Sequence, residues 1–162
     1  MSIRHLKIIF VVFTALLCLA YAGQNIANLE ACYQAFAYVM SNAEHTIYPA
    51  SLVPSISSPA LIWLTLTVVV GLEFLAGLLA ARGAWDMWSA RSAPASTFKQ
   101  SKKYALLGSG IGIIIWLGLF GVVGGAFFQM WQTAAGAASL AGAFQYMVSC
   151  AIVFIITAME DD

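Results

Sequence analysis

Few residues in this chain could do chemistry, and one of them stands in an unusual place. Glu73 lies in Gly71-Leu72-Glu73-Phe74, near the middle of a long apolar run with no Lys, Arg or His at a comparable depth. An ionisable group inside hydrocarbon is costly unless it is protonated, paired or wetted. Two kinds of chemistry are open to such an acid. It can couple a proton or cation to a transport step. Alternatively, in its neutral form, it can hydrogen-bond a neighbouring helix, with Ser109, Thr65 or a backbone carbonyl as partners within the chain. Glu73 is therefore the intramembrane polar candidate.

The other chemically capable groups do not form a constellation. His5 lies in the N-terminal tail and His45 in a polar segment, so neither is placed as an axial ligand of a haem inside a helical bundle. Cys18, Cys32 and Cys150 are odd in number and widely spaced, which argues against a disulfide framework or a zinc site. Cys18 and Cys150 fall in apolar runs and read as small packing residues. Motifs for a zinc protease, a thiol redox pair or a phosphate loop are absent. The hydroxyl residues show no base with an orienting acid. The expectation is therefore no catalytic residue, no metal, no cofactor and no enzymatic activity.

The elements that position Glu73 follow from composition. The 162 residues are 62% hydrophobic and only 9% charged, against about half and a quarter in soluble domains. A soluble fold of this size could not hide so much apolar surface. Crossing about 30 Å of hydrocarbon takes about 20 mostly apolar residues, and four stretches qualify: about 6–23, 60–81, 104–128 and 140–158. They lack period-two alternation, so helices rather than strands satisfy their backbone in lipid. The expected fold is an all-α membrane protein, a four-transmembrane-helix bundle forming a single domain over 1–162.

The seven cations set the orientation. Arg4 and Lys7 precede the first span, and Arg82, Arg91, Lys99, Lys102 and Lys103 fall in 82–103. The segments 24–59 and 129–139 carry none. By the positive-inside bias the N-terminus, the 82–103 loop and the C-terminus are cytoplasmic. The acidic tail Glu160-Asp161-Asp162 weighs little in that bias. The basic clusters are too short for a nucleic-acid footprint. A second reading of the first span also stands: a basic start, an apolar Ile8–Leu19 and Ala20-Tyr21-Ala22 make a signal-peptide pattern. Cleavage there would leave three spans and an N-terminus outside.

Trp63 and Trp131 near the outer ends of spans, and Trp85 and Trp88 near the inner end, have the amphipathic character of interface anchors. Trp116 falls mid-span and reads as a packing residue. The outer segment 24–59 is too long for a plain linker. Asn28 is placed to cap a helix with Leu29, Cys32, Tyr33, Phe36, Val39 and Met40 on its apolar side. Asn42 is placed to end it, and Pro49, Pro54 and Pro59 keep the remainder of the segment extended. This predicts a short outer interfacial helix. Gly108, Gly112, Gly121, Gly124 and Gly125 give the third span small-residue faces suited to close helix packing.

The run Gly124-Gly125-Ala126-Phe127-Phe128-Gln129-Met130-Trp131-Gln132 resembles a bacterial family of predicted small integral membrane proteins, domain of unknown function 2165. The resemblance extends over nearly the full chain. It includes Asn25-Ile26-Ala27-Asn28 with Phe36, Val39 and Met40, then Glu73 with Gly77 and Gly83-Ala84, then Phe98 and Lys102. Ala126 stands where the family tends to have Glu, and Phe127 where it tends to have Trp, so no role of that second acid carries over. The resemblance implies helix number and membrane location, and no activity.

These observations predict a multi-pass protein of the bacterial inner membrane. Its expected partners are the lipid bilayer and a membrane protein partner or a second copy of itself, with no nucleic acid. The leading expectation is a non-enzymatic accessory or structural subunit of a membrane complex. The alternative is a small transporter or channel component using Glu73 for proton or cation coupling.

Overall fold

In lipid the backbone must satisfy its own polar groups, and the computed structural model, which describes residues 2–161, is helical nearly throughout. Helix α1 spans Ile3–Ala27, α2 Leu29–Met40, α3 Pro59–Ser89, α4 Ala95–Ser101, α5 Lys103–Ile113 and α6 Ala134–Ala158. A π-helical stretch, Ile114–Phe127, continues α5, and a 3₁₀ turn, Met130–Gln132, joins it to α6. Four helices are long and apolar enough to cross a membrane: α1, α3, the α4–α5–π rod and α6. Asp162, counted in the acidic tail, lies outside the described residues.

The spans form a ring in the order α1, α3, α5, α6, with α6 returning to α1. Both termini and the α3–α4 connection meet at one end, which we call the charged end. Arg4 there donates to the Ala93 carbonyl at 2.6 Å, and Lys7 donates to the Met159 carbonyl at 2.8 Å. The outer segment lies at the opposite end. Ala20-Tyr21-Ala22 lies within an unbroken α1, with Ala22 buried against Leu66 and Val70.

Element boundaries differ from expectation in several places, and α6 begins at Ala134, about a turn and a half before the expected start near 140. Helix α3 does not stop near Ala81 but runs 31 residues to Ser89, about 46 Å at the usual rise. It therefore projects beyond the hydrocarbon, carrying Arg82, Asp86, Trp85 and Trp88 on its last turns. The 82–103 segment is accordingly mostly helix. Helix α2 forms as expected, but Asn28 makes no side-chain cap; its amide donates to the Gln24 carbonyl of the preceding turn at 2.9 Å. Beyond α2, Asn42 takes a left-handed φ of 54°, which Asn tolerates better than most residues. The third span is α-helical only to Ile113. From there the turn widens, and Phe128 N–H donates to the Val123 carbonyl five residues back at 2.9 Å. Helix α6 starts cleanly because Thr133 Oγ1 accepts from Gly136 N–H at 3.0 Å.

Glycines set the close approaches. A Cβ on Gly108 would sit 2.6 Å from the Ala76 carbonyl oxygen and from the Ala80 nitrogen, so α5 packs there on the α3 backbone. A Cβ on Gly112 would lie 2.8 Å from Cys150 Sγ of α6. Gly124 makes room for Met130 Sδ, and Gly125 faces Leu140. Gly121 meets only its own helix, Trp116 and Leu117. Gly83, outside the glycines chosen for packing, makes the tightest approach between two spans, against the Ala105 backbone of α5.

Candidate functional site

Glu73 is 2% exposed, near the middle of α3 on its α1-facing side. Its partner is Asn25, whose Nδ2 donates to Glu73 Oε2 at 2.9 Å. Neither of the expected hydroxyl partners reaches it. Thr65 Oγ1 donates to its own helix at Leu61 O, and Ser109 Oγ is buried without a hydrogen-bond partner. Asn25 belongs to the Asn25–Asn28 run, but its pairing depends on which face of α1 meets α3.

Asn25 heads a polar stripe on α1. Tyr21, Cys18 and Thr14 follow at helical spacing, and Cys18 and Thr14 are buried. Across the seam, α6 supplies Tyr146 and Cys150. The Tyr21 and Tyr146 hydroxyls hydrogen-bond each other, and both rings stand edge-on to Trp116, which is 3% exposed. The stripe ends in an ionic cluster at the charged end. Lys7 Nζ donates to Asp161 Oδ1 at 2.7 Å, and Lys102 pairs with the other carboxylate oxygen. Lys102 Nζ also donates to the Met159 carbonyl at 2.7 Å. Burial alone would push the Asp161 carboxyl up. The ammonium groups of Lys102 and Lys7 outweigh burial and hold it below the ordinary 3.8.

At the outer end the Met130-Trp131-Gln132 motif acts as a clamp. Gln132 Oε1 accepts from the N–H groups of Ile47 and Tyr48 at 2.9 and 2.8 Å, and its Nε2 donates to the Tyr48 carbonyl at 3.1 Å. Trp131 stands edge-on to Tyr48, with ring centroids 5.3 Å apart. Ser51 Oγ donates to the Phe127 carbonyl at 3.2 Å. These bonds tie the extended stretch after α2 to the end of the third span. Beneath lies an apolar cavity of about 460 Å³ between α2, α3 and the π-helical stretch, walled by Phe36, Val69, Leu119 and Phe120. Glu73 does not line it. The interface candidates Trp63, Trp85, Trp88 and Trp131 are all exposed, Trp63 against Tyr33 at one end and Trp88 under Arg91 at the other.

One polar residue in a span carries no signal in the sequence pattern. Gln145 sits at the middle of α6 and points out of the bundle, beside Ser149 and the exposed Ala138 and Ala141. Helix α6 is the least enclosed span, with 17% of its apolar window buried against 39% for α1 and α3. An outward amide at that depth has no water to satisfy it. Among the described residues no group of three His, Cys, Asp or Glu side chains is placed to hold a metal.

Four apolar spans agree with the family that the chain matches. Residues 3–160 match the family described as "Predicted small integral membrane protein (DUF2165)", and the chain belongs to that family. No curated protein and no solved structure matches it. The class defined by fold and family together is a small multi-pass integral membrane protein built on four apolar helices.

Proposed function

We propose that this protein is a non-enzymatic accessory or structural subunit of an assembly in the bacterial inner membrane, joined to its partner through the outward face of α6. The supporting observation is Gln145, exposed at mid-span on the least enclosed helix and flanked by small residues. Small residues let a second helix approach closely, and an amide in lipid gains most by hydrogen-bonding across that contact. Glu73 in this reading is a packing group. It is enclosed, carries no counter-charge and is held by the Asn25 amide. The positive-inside bias supports a cytoplasmic charged end.

Purification from native membranes in a mild detergent, followed by mass spectrometry of the intact assembly, tests this reading. A stoichiometric second subunit or a second copy is expected. A clean monomer from membranes at native expression would contradict it.

A further inference from the structure

The α1–α6 seam holds its register at three levels. Tyr21 meets Tyr146 at the middle of α6, and Lys7 meets Met159 and Asp161 at the charged end. Between them Cys18 faces Cys150. Both side chains are fully buried and belong to one cluster with Val69, Ile115 and Trp116. The antiparallel register makes the meeting a consequence of the fold, because Cys18 lies one turn below Tyr21 and Cys150 one turn below Tyr146. Gly112 adds to the fit, since a Cβ there would crowd the Cys150 sulfur.

We infer that Cys18 and Cys150 are a membrane-embedded dithiol that a lipid-soluble oxidant of the quinone class converts to a disulfide, locking the first span to the last. Each thiol gives up its S–H bond, one S–S bond forms, and two electrons with two protons pass to the quinone, which leaves as quinol. The depth selects the oxidant. Both sulfurs lie within membrane-spanning helices, so a charged aqueous oxidant would have to cross lipid to reach them. The apolar side offers the route, because Phe36, Val69, Leu119 and Phe120, which wall the apolar cavity, also belong to or pack against the cluster that holds the two cysteines. Cys32, partly exposed on α2, has no such neighbour and stays a thiol.

The test uses the full-length protein in liposomes, with a decyl-substituted benzoquinone as probe. After treatment and unfolding, maleimide labelling and intact mass should show one free thiol in place of three, with quinol formed in equal amount. Peptide mapping should join Cys18 to Cys150, and Cys18→Ser should keep both of its remaining thiols free. Ferricyanide, which does not enter the bilayer, should leave all the wild-type dithiol reduced over the same period. Three labelled thiols after quinone treatment would overturn the inference, as would equal oxidation by ferricyanide or mapping of the disulfide to Cys32.

Discussion

The Lys7 ammonium donates to the Asp161 carboxylate at 2.7 Å, and neither side chain is more than 3% exposed. A residue beyond the last helix is thus enclosed against the first turns of α1, with Lys102 on its other oxygen. Removing one partner of a buried ionic group leaves the rest uncompensated. Asp161→Ala should therefore lower stability by about 3 kcal/mol, read as denaturation in a graded detergent series. A variant as stable as the parent would show the cluster to be energetically idle.

The same cluster fixes an acid limit. The Asp161 carboxyl titrates below 3.8 when folded, so its stabilisation is complete above that value. It is lost as pH falls through the folded pKa. Thermal unfolding should shift down only below about pH 4, and the shift should vanish in Asp161→Ala. A drop already complete by pH 6 in the parent would point to other groups.

Gly108 sits where α5 packs on the α3 backbone, with no room for a Cβ. Gly108→Val should destabilise the bundle by about 1–3 kcal/mol through overpacking. Gly110→Val, whose added carbon meets only the edge of Phe154 at 3.8 Å, should be near neutral. Equal losses at the two positions would contradict the packing described.

Gln132 holds the Ile47–Tyr48 backbone through three hydrogen bonds. Gln132→Leu should free this stretch without unfolding the spans. Amide exchange at Ile47, Tyr48 and Ala50 should speed up at least tenfold, a loss of about 1.4 kcal/mol or more, while exchange in α3 stays as it was. Unchanged exchange in the outer stretch would remove the clamp role.

Glu73 separates the packing role from ion coupling. Glu73→Gln keeps an oxygen to accept from Asn25, so stability should change by less than about 1 kcal/mol. Asn25→Leu strands the acid and should cost about 1–3 kcal/mol. Proton uptake by reconstituted protein should be the same in the parent and in Glu73→Gln. A pH-driven flux lost in that variant would restore the coupling alternative.

The spans, the outer helix and the shared end of termini and basic loop are legible in the sequence because they depend on hydropathy length and on charge position. Side-chain direction is not. In a membrane helix the core face and the lipid face are both apolar, so periodicity does not reveal which way Gln145 or Asn25 points. Hence Asn25 does not stand out as the partner of Glu73, and Cys18 and Cys150 read only as packing residues. Lys7 and Lys102 are legible as topological markers, but their pairing with Asp161 depends on a long-range meeting of chain segments. The widening after Ile113 leaves no mark in a run of Ile, Leu, Gly and Val that also suits an α-helix.

Lateral association through α6 is tested most directly at Gln145. Single-molecule photobleaching of labelled protein in native membrane nanodiscs, or energy transfer between labelled copies and co-purifying subunits, should report association for the parent. Gln145→Leu should weaken it by about tenfold or less, in keeping with about 1 kcal/mol for such a hydrogen bond in lipid, while thermal stability of the monomer stays unchanged. Association as strong as the parent's in both Gln145→Leu and the bulkier Ala141→Phe would contradict this face as the point of contact.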